Sequence, residues 1–385
     1  MVYSDRDIKI LLHALSDRPV EKRENLVNRK DAIDRLNVYT RYAMSGVYGL
    51  CGEKGVGKTS VLNVVASESR AIMLSITEKE DKLTILFDML YRMAKAMNNL
   101  GINDKLAQEV MDFVVSKREY IRSKTVGLST VIEASIDDTD SITDRMPHYK
   151  IYEYMDNILA SLVNALDSVA IIVDELDKED KKDVLIILDS IKHVIRRDNV
   201  VVILSMPTSI YAEFVNDKMA GSNANLDNIL NDVVFLPPMS DEEIKEIIKS
   251  RIDPYVDFFD DKALDYITLY SEGNPRSALW VATRLIMDNI SAAHNGINGK
   301  IAYQSIHNMV REFSKVMEIM SWEEEILRIL STHDGIDRDK LIEMMTTVNR
   351  KLSTIKSYIS RAKKKGYIEE VDGKLRLRGK WRFFA

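Results

Sequence analysis

The segment Gly52-Glu53-Lys54-Gly55-Val56-Gly57-Lys58-Thr59 constrains this chain more than any other, because it completes the spacing G-x-x-x-x-G-K-[ST]. Glycines at those positions let the backbone turn and aim its N–H groups at phosphate oxygens. The Lys58 ammonium then reaches the β- and γ-phosphates, and the Thr59 hydroxyl holds Mg²⁺. The flanks agree with this: Val47 to Cys51 reads as a short strand entering the loop. Ser60 to Val65 opens a helix whose N-terminus faces the anion. Gly52 through Ser60 are therefore the expected phosphate contacts.

A strand feeding such a loop belongs to a sheet covered on both faces, and the rest of the chain supplies one. Val47–Cys51, Ala71–Ile76, Ala170–Asp174, Val200–Ser205 and Val233–Leu236 are near-continuous apolar runs between helical patterns. That is the pattern of parallel strands. Residues 1 to about 45 are helical in pattern, with Ile8, Leu11, Leu12 and Leu15 on one face. Thr125 to Ala134 reads as an extended hairpin, an insertion at about 120–140. After Pro237-Pro238 four helical patterns follow, Asp241–Ile252, Asp260–Ser271, Pro275–Ile290 and Ala302–Met317. The expected domains are a nucleotide-binding base over 1–238, a helical lid over 239–318 and a last unit over 319–385.

Ala170-Ile171-Ile172-Val173 followed by Asp174-Glu175 is a buried strand ending in acids at the carboxyl edge of the sheet. There Asp174 can bind hydrated Mg²⁺ and Glu175 can polarise an attacking water. Val200 to Leu204 leads to a third strand end, with Ser205, and secondarily Thr208, placed to report on the γ-phosphate.

This set resembles the AAA+ ATPases, in the branch of archaeal origin-recognition initiators and related archaeal ATPases. It comprises Leu26-Val27-Asn28-Arg29-Lys30, the phosphate loop, Val173 to Asp177, the Ser205 strand and Gly273-Asn274-Pro275-Arg276. The resemblance implies that Val27, Asn28 and Arg29 line an adenine pocket and that Arg276 is a lid arginine reaching the γ-phosphate. ATP or ADP with Mg²⁺ is the implied cofactor. Two departures stand out. Asn28 occupies a position where relatives often have glycine. Leu226 to Val234 lacks the arginine that in many relatives completes a neighbour's site, Asn231 and Asp232 standing there instead. Arg196 and Arg197 are the nearest substitutes. Without a finger, turnover is expected to be slow.

Net charge is −6, yet Arg350 to Arg382 holds twelve basic residues against three acidic ones. A basic terminal segment on an acidic body is the pattern of a tethered nucleic-acid-binding module. Trp322, Ile326, Ile329 and Leu330, then Leu341, Ile342 and Met345, then Leu352, Ile355, Ile359 and Ala362 mark three amphipathic helices. Asp372-Gly373 between alternating strands marks a hairpin. These elements resemble a winged helix-turn-helix domain. Double-stranded DNA is then the expected partner, contacted by Lys356, Arg361, Lys363, Lys364, Lys365, Arg376 and Arg378.

No apolar run approaches the roughly 20 residues that cross a bilayer. The charged N-terminus has no apolar signal core, and the single cysteine, Cys51, cannot form an internal disulfide. A cytoplasmic location is expected. The fold class is thus α/β: a P-loop AAA+ base with a parallel sheet, an all-α lid and a C-terminal winged helix. The favoured activity is that of a slowly hydrolysing, initiator-like DNA-binding ATPase. The alternative is a regulatory switch ATPase of transcription, mobile-element control or defence, whose winged helix meets a protein partner or an oligomer. A scaffold that binds nucleotide without hydrolysis is disfavoured by Glu175.

Overall fold

The computed structural model describes residues 2–75, 82–128, 140–176, 184–185, 187–188, 197–220, 226, 229–317, 319–333, 335–346 and 352–384. Contacts divide the chain into two compact units, Pro19–Pro237 and Met1–Arg18 with Pro238–Ala385. Ile76, Asp177, Arg196 and residues 129–139, all used in the sequence reading, lie outside the described residues.

The first unit carries α2 (Lys30–Arg41), β1 (Gly46–Gly52), α3 (Lys58–Ser69), β2 (Ile72–Ser75), α4 (Lys82–Asn99), α5 (Asp104–Leu128) and α6 (Asp140–Leu166). It continues through β3 (Val169–Asp174), β4 (Val200–Met206), α7 (Thr208–Ala220) and β5 (Asp232–Leu236). The five strands form one sheet in the order β2-β3-β4-β1-β5, and every pairing is parallel. Because side chains alternate along a strand, each strand feeds two cores. Val47, Cys51, Ile171, Val173, Val202 and Leu204 join one cluster with Leu86, Leu90 and Ile158 of α4 and α6. Tyr48, Leu50, Ile172, Val201 and Ile203 join the other with Ile33, Leu36, Val61 and Leu62 of α2 and α3. Burying each such side chain contributes roughly 1.5–3 kcal/mol, and this two-sided burial is what selects the parallel sheet.

The insertion differs from expectation. Instead of turning extended at Thr125, α5 stays helical to Leu128. Lys117 to Lys124 ahead of it is mostly good helix formers, and extending an existing helix by one hydrogen bond per residue costs less than nucleating a hairpin.

In the second unit α1 (Asp5–Ala14) starts at a capping box. Ser4 Oγ accepts from the Asp7 N–H, and Asp7 Oδ2 accepts from the Ser4 N–H at 2.8 Å. Its Ile8 and Leu11, with Tyr3 and Leu15, are buried among Ile244, Ile248, Leu264 and Leu285. Arg251 fixes the segment that follows, donating to the carbonyls of Ser16 at 2.7 Å and Arg18 at 3.0 Å. The contact division therefore falls differently from a base spanning 1–238, because the apolar face of α1 has its partners after Pro238.

The same unit runs through α8 (Asp241–Arg251), α9 (Asp261–Ser271), α10 (Pro275–Asp288), the single turn α11 (Ile290–Ala293) and α12 (Gly299–Val316). Ser240, Asp260, Asn274 and Asn298 cap α8, α9, α10 and α12 through their side chains, and Pro275 sits at the first turn of α10, where its missing N–H costs nothing. Then come α13 (Ser321–Ser331), β6 (Ile336–Asp337), α14 (Arg338–Thr346), α15 (Leu352–Lys364), β7 (Ile368–Val371) and β8 (Lys374–Leu377). The last three strands form an antiparallel sheet in the order β6-β8-β7. Asp372 and Gly373, both with positive φ, make the β7–β8 turn. Trp322, Ile326, Leu341, Ile355, Ile359, Leu375 and Trp381 share the core of these elements. Among the described residues no helix is long and apolar enough to cross a membrane.

Candidate nucleotide site

The phosphate loop leaves β1 at the carboxyl edge of the sheet. Gly55 has φ +88° and Gly57, the N-cap of α3, has φ +103°. Both lie in the left-handed region that glycine enters without steric cost. Among the described residues, a Cβ added at Gly57 would meet nothing within 4 Å, so the turn is open to them where a phosphate would approach. The first turn of a helix also points N–H groups outward that no carbonyl of the same helix can reach. Lys58 is buried, and its Nζ donates to the carbonyls of Gly52 and Glu53, each at 2.7 Å. The ammonium is folded back over the loop and would exchange carbonyl oxygens for phosphate oxygens. Val56 is buried beneath the loop, while Glu53 and Lys54 are exposed. Cys51 is fully buried just before the loop, and desolvation pushes its thiol up to about 12 against the opposing charge of Lys58. It is unreactive at neutral pH.

The strand pairings bring the acids to the same edge. Val173 of β3 pairs with Leu204 of β4, and Leu204 pairs with Gly49 of β1. Asp174 and Ser205 are the next residues along. Alternation puts Asp174 with Ile172, and Ser205 with Val201 and Ile203, on the face covered by α3. Asp174 is buried, and its Oδ1 accepts the N–H of Glu175 at 2.7 Å. Glu175 itself has φ +72°, a left-handed conformation that costs a residue with a Cβ about 1–2 kcal/mol. Such strain persists only where surrounding structure imposes it, as at functional sites. Ser205 is fully buried, and among the described residues neither its Oγ nor the Oγ1 of Thr208 has a hydrogen-bond partner. Orphan hydroxyls in a core are uncommon.

The segment ahead of α2 packs beside the loop, in a way that spacing did not reveal. Asn28 has φ +42°, in the left-handed region. Asparagine tolerates that region better than most residues with a Cβ. Arg29 is buried and donates to the carbonyl of Val56 at 3.2 Å and that of Pro237 at 3.0 Å. It thereby ties the phosphate loop to the end of β5. Val27 is half-buried, and Ser60 Oγ accepts the N–H of Val20 at 3.0 Å. Replacing Arg29 by alanine removes both charged hydrogen bonds and should lower unfolding stability by about 2–3 kcal/mol. Urea denaturation of the two proteins side by side measures it; equal midpoints would mean the guanidinium holds nothing.

Most of the other sequence candidates have partners of their own. At the amino end of β1, the opposite end from the loop, the Asn231 N–H donates to the Val47 carbonyl and the Asn231 side-chain Oδ1 accepts the Val47 N–H, each at 2.8 Å. Asp232 accepts from Arg35 at 2.5 Å and from the Tyr39 hydroxyl. Arg197 donates to Asp156 Oδ1 at 2.5 Å. In the second unit, Arg276 at the start of α10 pairs with Asp17 at 2.6 Å. Of the basic residues near the C-terminus, Lys363 pairs with Glu370, Lys365 with the buried Glu323, and Arg378 with Glu272 at 2.9 Å. Lys356, Arg361 and Lys364 are exposed and Arg376 is half-buried.

Thr59 and Asp174 suit a magnesium ion: a hydroxyl on the first turn after the loop and a buried carboxylate at the end of β3, two strands over from β1 in the sheet, both hard oxygen donors. The family model described as the KAP family P-loop domain matches residues 31–360. The chain belongs to the KAP family of P-loop NTPases. No match was found among curated proteins. Among solved structures, the Walker-type ATPase PABY2304 of Pyrococcus abyssi is similar at 12% identity over 96% of this chain and 98% of that one, with a TM-score of 0.51. That likeness shows a shared fold. The Aeropyrum pernix ORC1 protein in complex with DNA matches at 15% identity over 97% and 94%, TM-score 0.44. The RuvB Holliday junction branch migration motor of Thermotoga maritima matches at 14% over 95% and 96%, TM-score 0.43.

Proposed function

We propose that this KAP-family protein binds ATP with Mg²⁺, hydrolyses it slowly, and uses its nucleotide state to switch binding of double-stranded DNA, in the manner of an initiator. The nucleotide half is supported by the open turn over Gly57, with Lys58 behind it and Asp174 and Glu175 at the same sheet edge. In this reading Thr59 and Asp174 hold the ion, Glu175 polarises the water, and the orphan hydroxyl of Ser205 faces the phosphate side. Turnover is slow because Ile229 to Val234 carries no arginine to stabilise charge in a neighbour's site.

The DNA half is supported by one face of α15. Ser353, Lys356, Ser360 and Lys364 are exposed at helical spacing, opposite the buried Ile355, Ile359 and Ala362. A helix with a short-chained, cationic outer face, preceded by two helices and followed by the β7–β8 hairpin, has the order of a winged helix whose third helix enters the major groove. Residues 319–385 would form that domain and 239–318 the lid.

The ion pairs reduce the number of cations available to phosphate. Lys356, Arg361, Lys364 and Arg376 have no ion pair among the described residues, so about four phosphate contacts are expected. The logarithm of duplex affinity should then fall against log salt with a slope of about −3 to −4. Lys356→Ala with Lys364→Ala should flatten the slope by about two. Fluorescence anisotropy of a labelled duplex at several salt concentrations measures both. The second reading is a regulatory switch whose C-terminal module binds a protein, and it draws on the engagement of Lys363, Lys365 and Arg378 within the unit. A full-length protein that binds no duplex at low salt would leave that reading in place of DNA binding.

A further inference from the structure

The second unit holds a cavity of about 470 Å³ between α12 and α13, lined by His307, Arg311, Lys315, Ile319, Arg328 and Phe384. Its walls come from unlike chemistry on two sides. Arg311 and Lys315 stand one turn apart on α12, both exposed, with no ion pair among the described residues. Arg328 of α13 is held by Glu324 at 2.8 Å, the one carboxylate in the lining. The same lining holds Ile319 and Phe384, half-buried apolar groups, and His307, whose Nδ1 bonds the carbonyl of Phe383 at 2.8 Å, which fixes the imidazole.

Three cations around a mouth, an aromatic ring and an imidazole beside it, and a volume in the range of small-ligand sites together specify a ligand. It must carry a compact negative charge at one end and a flat, partly apolar body at the other. A surface that served only for solubility would pair its arginines and lysines with neighbouring acids or spread them apart; here two unpaired cations converge on a concavity with a third. Guanidinium groups match phosphate oxygens with paired N–H donors, and an aromatic face takes a base by stacking.

We infer that this cavity is a second nucleotide site, taking the phosphate of a mononucleotide on Arg311, Lys315 and Arg328 and its base against Phe384. It is separate from the phosphate loop, which lies in the other unit, and it does not require that the loop hydrolyse anything. Because α12 and α13 belong to successive parts of the chain, a bound nucleotide would bridge the last lid helix and the first helix of the C-terminal elements. Its occupancy would report nucleotide supply independently of the loop.

The test uses full-length protein carrying Lys58→Ala, so that the phosphate loop is silenced. Isothermal titration with AMP, ADP and ATP should show one remaining site, at least about tenfold weaker after Arg311→Gln with Lys315→Gln, since two charge-assisted contacts go. Phe384→Ala should weaken AMP while leaving inorganic phosphate unchanged. Arg311 and Lys315 are exposed, so the thermal midpoint of their double variant should match the parent, whereas Phe384 packs on the neighbouring apolar clusters and its removal should lower the midpoint without changing phosphate binding. The Arg311 and Lys315 substitutions in a chain with Lys58 intact should leave ATP binding at the loop unaltered. The inference is overturned if the Lys58→Ala protein binds no mononucleotide up to several millimolar, taken as a very weak affinity. It is equally overturned if inorganic phosphate binds as tightly as AMP, or if only an oligonucleotide binds and loses affinity on replacing Arg311 and Lys315.

Discussion

Lys58→Ala is expected to weaken ATP binding by at least about 100-fold, because a charged group that bridges terminal phosphates has no neutral substitute. The side chain has a second task in the nucleotide-free protein. It is buried and donates to two loop carbonyls at 2.7 Å, so the variant should also unfold somewhat more readily before any ligand is added. The two effects separate in one experiment. At a concentration 100 times its dissociation constant, ATP should stabilise the natural protein by about 2.7 kcal/mol. In the variant the same ATP concentration should add far less. Thermal or urea unfolding with and without Mg²⁺ and ATP reads both numbers. Undiminished stabilisation by ATP in the variant would remove the loop as the site.

Glu175→Gln should leave ATP affinity within a fewfold of the natural protein and lower turnover by about 10²- to 10⁴-fold, the range that a positioned general base contributes. The substitution is well matched to the geometry. Glutamine has the same reach and tolerates the +72° φ no better and no worse than glutamate, so the backbone has no reason to move. Asp174 keeps its bond to the residue 175 N–H in either protein, so the metal-facing carboxylate stays oriented. Phosphate release and equilibrium binding should be measured on the same preparations. The starting rate is itself expected to be low, below about 1 s⁻¹, since a completing arginine is worth several orders of magnitude and the described residues from Ile229 to Val234 include none. Hydrolysis by Glu175→Gln at the natural rate would falsify the role given to this carboxylate.

Much of the nucleotide-binding unit was legible because its signals are local. A phosphate loop is a run of backbone conformations, and glycines at positions 55 and 57 declare them residue by residue. Buried parallel strands need unbroken apolar runs, so Val200 to Leu204 and Ala170 to Val173 announce themselves. In the second unit, helix starts at Ser240, Asp260 and Asn274 follow from side chains that reach their own first turn, whereas the fourth helix, expected from Ala302, starts three residues earlier at Gly299, capped by Asn298. Of the hairpin expected over Thr125 to Ala134, the four residues that are described, 125–128, are helical. Val126, Val131 and Ile132 have strand-like character, but a helix already running through residue 124 continues to Leu128 more cheaply than it stops.

Partnerships across long sequence separations were not legible. Spacing shows that Arg29 lies ahead of a helix, but only the fold brings its guanidinium to Val56 and to Pro237, 208 residues away. A count of charges made Lys363, Lys365 and Arg378 equal to Lys356 and Lys364. Packing then placed acids beside the first three and left the other two on the outer face of α15. The sequence by itself determined the backbone shape of the phosphate loop, the place of Asp174 and Glu175 at the end of a buried strand and the α/β class, because each rests on backbone shape or periodicity over a few residues. Tertiary structure alone decided which cations and hydroxyls have no partner among the described residues and where α1 packs, because those depend on what distant segments bring to the same place.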